Sequence, residues 1–245
     1  MFMRPVDHVV AAVLSGDDAR LGALLDGDAS LAEQRTMFGV SPLHAARAVG
    51  REDLVVRLRP PGPLPLVLAA ELGDAEAVRA ALASDPGAVG AHDATGSTAL
   101  HGASYWGRVE VAELLLGAGA DPRAITEDQF LRIPVLGSAI ATTPGVPQPS
   151  DDEDVVLHLV RVLLEHGAEP DDVRRDGMTA LHSAAWRGLG RVVQELLDAG
   201  ADREARATDG PHAGQTPADA ALAQGHLVLA SQLDSGAADV ASPYG

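Results

Sequence analysis

Histidine and carboxylate side chains are the groups in this sequence best suited to proton transfer or metal binding. His44, His101 and His182 each follow a leucine and lie three residues after a Ser or Thr. Four consecutive acidic residues at 151–154 could bind a cation, but they lack the alternating oxygens and central glycine of a calcium-binding loop. A solvated loop is the favoured interpretation of this acidic run, and the surroundings of the histidines decide what they do.

The histidines lie within a repeated helical pattern. The stretch 96–121, GSTALHGASYWGRVEVAELLLGAGAD, returns at 177–202 as GMTALHSAAWRGLGRVVQELLDAGAD. In each copy a Thr can cap a first helix, a glycine ends it, and an apolar stripe predicts a second helix. Seven copies are anchored, at the histidine position, on Val10, His44, Val67, His101, Gly137, His182 and Asp219. Their separations of 34, 23, 34, 36, 45 and 37 residues fit a unit of about 33 with one shortened linker and two insertions.

Four short motifs resemble the start of an ankyrin repeat, Thr-Pro-Leu-His. They are Ser41-Pro42-Leu43-His44, Thr98-Ala99-Leu100-His101, Thr179-Ala180-Leu181-His182 and Thr216-Pro217. The chain is similar to the ankyrin-repeat family over nearly its whole length. That resemblance implies an all-α solenoid of about seven repeats, each with a helix–turn–helix and a β-hairpin loop. We expect a single domain over residues 1–245, with repeats spanning approximately 6–35, 36–62, 63–92, 93–126, 127–173, 174–206 and 207–240.

Two repeats depart from this pattern. The second is about ten residues short and is followed by the proline-rich stretch Pro60–Pro65, which predicts a break in the row of hairpins. The fifth has Ile133-Pro134-Val135-Leu136-Gly137 where Thr and His are expected, and an insertion at 143–153 separates its two helices. We expect the acidic run to lie at the N-terminus of the second of these helices, where the helix dipole favours negative charge.

The resemblance also implies a structural role for the three histidines. In this family the histidine bonds to the Thr and to neighbouring backbone at the start of the first helix. Repeats stack about 8–10 Å apart, so histidines in alternate repeats would lie too far apart to share one zinc ion. The sequence also has no nucleophile elbow, phosphate-binding glycine loop or His-Glu-x-x-His motif. We therefore predict no catalytic residue, no metal site and no cofactor.

Composition narrows the class of partner and the compartment. The formal net charge is −17, so nucleic acid and anionic membranes are disfavoured as partners. There is no cysteine, and no apolar run approaches the roughly 18–20 residues of a membrane helix. The apolar stretch 9–14 superficially resembles a signal peptide, but it is shorter than the ~7–15 residues of such a core. We expect a cytoplasmic protein, and the absence of Lys and Asn suggests a bacterial source with GC-rich coding.

Aromatic residues indicate where a partner would bind. Phe38 and Phe130 lie in predicted hairpins, whereas Tyr105, Trp106 and Trp186 lie at the ends of first helices. Aromatic and Arg side chains are common interface anchors, and in ankyrin repeats these positions face the concave side and the hairpin tips. The predicted partner-binding residues are Phe38, Tyr105, Trp106, Phe130, Met178, Trp186 and Arg187. The alternative is that Tyr105 and the tryptophans pack between adjacent first helices and that Phe130 fills space in the fifth repeat.

The favoured function is non-enzymatic recognition of a partner protein on the concave and hairpin face, and the acidic charge favours a basic partner. A different hypothesis is a small-molecule binder or enzyme with a closed pocket formed by Tyr105, Trp106, Trp186 and the 143–153 insertion. Self-association through the Pro60–Pro65 break or an end repeat is a third possibility. A monomer is assumed by default.

Overall fold

The computed structural model describes residues 3–36, 39–127, 132–141, 146 and 151–234. Within these residues fourteen α-helices follow one another as seven helix–turn–helix pairs. The first helices of the pairs are α1 (Pro5–Ser15), α3 (Pro42–Ala48), α5 (Leu66–Leu72), α7 (Ala99–Tyr105), α9 (Val135–Ile140), α11 (Ala180–Arg187) and α13 (Pro217–Ala223). The second helices are α2 (Asp18–Gly27), α4 (Glu52–Leu58), α6 (Ala75–Ser84), α8 (Val109–Gly117), α10 (Glu153–Glu165), α12 (Gly190–Asp198) and α14 (Leu227–Asp234). The predicted all-α repeat fold is confirmed.

Local sequence signals set where the helices begin and end. Four first helices start with a capping box. The hydroxyl of the capping residue accepts the backbone N–H three residues on, and the side chain of that later residue accepts the backbone N–H of the capping residue. The capping residues are Ser41, Thr98, Thr179 and Thr216. Three second helices, α2, α6 and α10, instead have an Asp cap. Gly73 and Gly188 end α5 and α11 with φ of 75° and 73°, a conformation that glycine adopts at little cost.

The pairs stack so that first helices pack against first helices and second helices against second helices. Buried apolar side chains form one continuous cluster that runs from Val9 to Leu233. Leu100 and Leu181 are fully buried in it, as are the small residues Ala103 and Ala184, which allow neighbouring helices to approach closely. The core is therefore shared between repeats, as a solenoid requires.

The connections between repeats are tight turns whose tips bond to each other. The turn before α7 is closed by the Asp93 N–H and the Ser97 carbonyl at 2.9 Å. The carbonyl of Gly96, at the tip of this turn, accepts the N–H of Glu127 in the following connection at 2.8 Å. The β-pairing assigned within the described residues is one isolated antiparallel bridge, Ile125–Pro134. The predicted hairpins are thus short turns rather than strands in this part of the chain.

The second and fifth helix pairs are followed or interrupted by irregular connections. Helix α4 ends at Leu58, and residues 59–65 connect it to α5 without helix. In the fifth repeat, α9 ends at Ile140 and α10 begins at Glu153. The insertion between them is described at Val146, which is buried, and from Asp151 onward; residues 143–145 and 147–150 lie outside the described residues. Asp152 caps α10 by accepting the Asp154 N–H, as the predicted position of the acidic run requires.

Four Arg–carboxylate ion pairs and one His–carboxylate contact join the second-helix layer across five successive junctions. They are Asp18–Arg51 at 3.0 Å, Arg59–Asp74 at 3.1 Å, Arg79–Glu110 at 3.2 Å, Glu113–His158 at 3.2 Å and Arg161–Glu195 at 2.7 Å. Many acidic residues of this layer therefore have a basic neighbour. Among the described residues, none of the helices is both long enough and apolar enough to cross a bilayer.

Candidate functional site

Two of the histidines lie in equivalent buried sites that join one repeat to the next. The backbone N–H and hydroxyl of Thr98 contact Nδ1 of His101 at 3.3 and 2.8 Å. Nε2 of His101 donates to the carbonyl of Ile133 in the next repeat at 3.0 Å, which places the ring proton on Nε2. His182 repeats the arrangement and donates to the carbonyl of Gln215 at 3.1 Å. The predicted structural role of these histidines is confirmed.

His44 differs because its Nε2 contacts a carboxylate instead of a carbonyl. It lies 3.1 Å from Oε2 of Glu71, a residue of α5. Arg35 donates to both oxygens of this carboxylate, at 3.1 and 2.7 Å, and Arg108 donates to the Glu71 backbone carbonyl at 3.0 Å. We call Arg35, His44, Glu71 and Arg108 the Glu71 site. It ties α3 to α5 and ties α5 to the turn that precedes α8.

In the Glu71 site the negative charge of the Glu71 carboxylate is balanced by the Arg35 guanidinium. Burial alone would raise the pKa of Glu71, but the hydrogen bond from His44 and the hydrogen bonds and charge of Arg35 outweigh it and lower this pKa to about 2. Burial lowers the pKa of His44 below its usual 6.5, so its ring is neutral at pH 7 and Arg35 supplies the counter-charge. An ionised carboxylate with both oxygens already bonded has a structural role and is poorly suited to act as a general base.

Trp106 is part of the scaffold, which corrects its prediction as a partner contact. Its side chain is only 2% exposed. The indole stacks on the imidazole of His44, with ring centroids 4.7 Å apart and planes 15° from parallel. The Tyr105 ring packs edge-on against the same indole, with ring centroids 5.5 Å apart. For Trp106 the packing alternative is therefore the right one, because the ring has almost no surface left for a partner.

An open cleft of about 360 Å³ lies beside Tyr105. Its walls include Arg35, Glu71, Tyr105 and Trp106, and Tyr105 is half-buried there. Trp186 does not line this cleft. The arrangement does not support the closed apolar pocket of the small-molecule hypothesis, since the cleft is open and its charged pair is internally bonded.

The other predicted contact residues differ in accessibility. Trp186 is 45% exposed on α11, whereas Met178 is only 9% exposed and offers a partner little surface. Arg187 is half-buried and donates to the carbonyl of Ile140 at 2.7 Å, at the end of α9. Phe38 and Phe130 lie outside the described residues. Of the candidates that are described, Tyr105, Trp186 and Arg187 keep surface that a partner can reach.

Tyr105 and Trp186 occupy the same position in their repeats, two residues before the glycine that follows the first helix. The equivalent residues elsewhere are Leu14, Ala48, Glu71 and Ala223. We call these six residues the pre-glycine row. Because the first helices stack side by side, the row follows one face of the stack. Sequence reasoning did not single out Glu71, although aligning LVLAAELG with LHGASYWG places its carboxylate in this row.

The acidic run at the start of α10 is occupied by contacts within the protein. Arg191 pairs with Glu153 at 3.1 Å and with Asp154 at 2.5 Å. His158, further along α10, pairs with Glu113 on the neighbouring second helix. Within the described ranges, no group of three or more His, Asp or Glu side chains is arranged to hold a metal ion. Asp151 and Asp152 precede α10, whereas Glu153 and Asp154 lie in its first turn, so only the first half of the run lies in the loop expected from the sequence.

Two family models match the sequence. The model described as "Ankyrin repeats (3 copies)" matches residues 9–126, and "Ankyrin repeats (many copies)" matches residues 156–194. Together they cover more than half of the chain. Both matched regions contain the capped first helices and apolar second helices described above.

The chain is also similar to parts of several longer known proteins. The chain is 36% identical to the mouse (Mus musculus) B-cell lymphoma 3 protein homolog over 44% of this chain and 21% of that protein. It is 31% identical to the glycerophosphocholine phosphodiesterase gde1 of Schizosaccharomyces pombe over 64% of this chain and 12% of that protein. It is also 31% identical to the probable E3 ubiquitin-protein ligase XBOS33 of Oryza sativa subsp. japonica over 80% of this chain and 38% of that protein. The chain therefore spans less than two fifths of the length of each of these relatives.

Proposed function

Because this chain belongs to the ankyrin-repeat family, whose repeats are generally protein–protein interaction modules, we propose that it is a non-enzymatic protein that binds a partner protein. The proposed binding face is the one that carries the pre-glycine row. The observation that carries the proposal is the 45% exposure of the Trp186 side chain on α11, a first helix whose other residues are buried or half-buried. A large aromatic ring held at a rigid, accessible position is a typical interface anchor.

The scaffold holds the proposed contact residues before a partner arrives. Trp186 lies between the buried Ala185 and the half-buried Arg187, whose guanidinium is held by the Ile140 carbonyl. Tyr105 is fixed by its edge-on contact with the buried Trp106. Side chains that are already ordered lose little conformational entropy on binding, so more of the contact energy appears as affinity.

Charge supports a basic partner. The net charge of −17 creates a negative field that accelerates the encounter with a positively charged protein at low salt. The proposal further treats the protein as a cytoplasmic monomer. Light scattering of the purified chain tests the monomer, and an association rate that rises with added salt would contradict the basic partner.

The decisive experiment compares two single variants of the full chain in affinity capture from a lysate of the source organism. Trp186→Ala removes the proposed anchor, and Val56→Ala removes an even more exposed apolar side chain on the second-helix layer. Truncating an anchoring tryptophan costs at least about 2 kcal/mol, or roughly thirtyfold in affinity. We expect the partner captured by the wild type to be lost with Trp186→Ala and retained with Val56→Ala. Equal capture by all three proteins would rule out this face.

A further inference from the structure

The row of turns that precede the first helices is interrupted at α5. A tight turn at 36–40 precedes α3 and another at 93–97 precedes α7, and their closing backbone hydrogen bonds measure 2.8 and 2.9 Å. In residues 59–65, all of which the structure describes, no backbone hydrogen bond closes a turn of this kind before α5. The short, proline-rich connection therefore leaves one place in the row without a turn.

The open cleft of about 360 Å³ beside Tyr105 lies at this interruption. Its walls include Gly39 from the turn before α3, and Thr95 and Ser97 from the turn before α7. Glu71 contributes to the same walls from α5, the first helix that has no turn of its own. We call this space the turn gap. Two turns that would be separated by a third in a regular stack border it together.

The backbone N–H of Ala94, next to the wall of the turn gap, lacks the acceptor that equivalent groups have. Glu127 and Thr208 occupy the same position in later turns, directly after the residue whose N–H closes the turn. Their N–H groups donate to the preceding turn, to the carbonyls of Gly96 and Asp176, each at 2.8 Å. Ala94 is exposed, and within the described part of the chain its N–H donates to no carbonyl or side chain. The turn that would accept it is the one that is missing.

We propose that the turn gap binds a tight turn of the partner protein, one of whose carbonyls accepts the Ala94 N–H. This inference rests on the proposed function and names the structural element that the partner presents. The stack itself provides the template, since at regular junctions the neighbour of a turn is another turn. Main-chain hydrogen bonds to an unpaired edge are a known source of affinity when a partner adds a strand to a sheet. The bordering turns are already ordered, so binding costs them little conformational entropy.

The turn gap selects for backbone shape more than for a charged side chain. Its Arg35 and Glu71 pair with each other at 2.7 Å, so the two charges compensate within the protein. In the regular junction the accepting Asp176 is followed by Gly177, whose φ is 78°. A glycine at that place in the partner's turn would allow the same geometry at little cost. Basic residues beside it would be attracted by the acidic chain.

The test titrates the isotopically labelled full chain with a peptide turn and follows backbone amide signals by NMR. The peptide copies residues 174–179, Arg-Arg-Asp-Gly-Met-Thr, between two cysteines joined by a disulfide, which stays intact because the chain has no cysteine. Its twin has the same charge but Val in place of Gly, which disfavours the positive φ. We expect the peptide to shift the amide signals of Ala94, Thr95 and Gly39. The twin should bind at least roughly fivefold more weakly.

Ala94→Pro removes the proposed donor and little else. Ala94 is the second residue of the turn that the Gly96 N–H closes on the Asp93 carbonyl at 2.9 Å, a position where proline is favoured. We therefore expect unchanged thermal unfolding and at least roughly fivefold weaker binding of the peptide. Ala94→Ser keeps the N–H and is the matched control, so it should bind the peptide like the wild type.

Several results would overturn the proposal. The peptide and its twin could bind the wild type equally, Ala94→Pro could bind as tightly as Ala94→Ser, or millimolar peptide could leave the Ala94 signal unmoved. A shift of the same signals with protein concentration, in the absence of peptide, would assign the turn gap to a second copy of the chain instead. Trp186→Ala should still bind the peptide, so a failure at the turn gap and a failure of partner capture through Trp186 are seen separately.

Discussion

The imidazole of His44 and the indole of Trp106 stack with their centroids 4.7 Å apart, although the whole α5–α6 pair separates them in sequence. At regular junctions the histidine instead reaches a backbone carbonyl just before the next first helix, as His101 reaches Ile133. Between α4 and α5 the linker is short and proline-rich, and Glu71 near the C-terminal end of α5 takes the place of that carbonyl. The junction that lacks the regular contact is therefore held by an ion pair and an aromatic stack.

Acid should weaken this junction in two steps. The pKa of His44 is lowered by burial, so it contributes stability that is present above 6.5 and lost as the pH falls below it. The pKa of His182 is also lowered by burial, so the junction of α11 with α13 loses stability in the same direction. The pKa of Glu71 is lowered from 4.5 to about 2, so its contribution is full above 4.5 and disappears as the pH falls toward 2. The Glu71 step amounts to about 3 kcal/mol at most. Urea unfolding followed by circular dichroism at pH 7.5, 6, 4.5 and 3 measures both steps.

Replacing Glu71 by Gln should remove the second step. The variant leaves the Arg35 charge without its carboxylate, so we expect a loss of about 3 kcal/mol at pH 7 and a shallower fall in stability between pH 4.5 and 3 than in the wild type. Glu110→Gln, which removes an exposed carboxylate paired with Arg79, is the matched control and should keep the wild-type profile. An unchanged pH dependence in Glu71→Gln would show that acid acts elsewhere in the chain.

Gly102 should resist substitution by alanine even though alanine is the better helix former. A Cβ at this position in α7 would lie 2.7 Å from Cγ of Glu71 and 3.5 Å from the carbonyl of Val67 in α5. Because Glu71 is locked by its ion pair, α5 and α7 must separate, and we expect a loss of about 2 kcal/mol. Gly117→Ala in α8, where a Cβ would meet nothing within 4 Å, should be neutral or stabilising by up to about 1 kcal/mol. Thermal unfolding of both variants decides whether close helix approach or helix propensity dominates.

The fold was predictable because its signals are local and repeated. A capping Thr, a His three residues on and a helix-ending glycine recur at a fixed spacing, so two strong copies reveal the weaker ones. Even the first repeat, which lacks the Thr and His, is recognisable from the apolar stretch 9–14 and the glycine at position 16 that follows it. Both irregular repeats were also located by their residues, since proline and extra length directly prevent the regular unit.

The details of the site were less predictable because they depend on contacts between distant residues. Glu71 pairs with Arg35, which lies 36 residues away, and no local motif links the two. Trp106 was grouped with Trp186, but in the alignment it corresponds to Arg187, and Tyr105 is the true equivalent of Trp186. One position along a helix turns a side chain by about 100°, which is enough to exchange an exposed face for a buried one.

The ion pairs of the second-helix layer should contribute little individually and should depend on salt. Arg161 donates to Glu195 at 2.7 Å, but its side chain is more than half exposed, so water and ions screen the pair. We expect Arg161→Gln to cost at most about 1 kcal/mol at low ionic strength. That difference in unfolding free energy should vanish in about 0.5 M sodium chloride, where dissolved ions screen exposed charges strongly. Arg57→Gln controls for the change in net charge, and a cost for Arg161→Gln that persists in high salt would indicate a packing role instead.

The two tryptophans should respond oppositely to truncation and to solvent. Trp106→Ala removes a buried ring that stacks on His44, so we expect a loss of about 3–5 kcal/mol. Trp186→Ala removes an exposed ring and should cost less than about 0.5 kcal/mol. Fluorescence separates the sites directly, because Trp186→Phe leaves Trp106 as the sole indole and Trp106→Phe leaves Trp186. Iodide should quench the emission of Trp186 strongly and that of Trp106 weakly. Equal quenching would contradict this expectation. It would mean that the stack of Trp106 on His44 opens in solution and that a partner can reach Trp106.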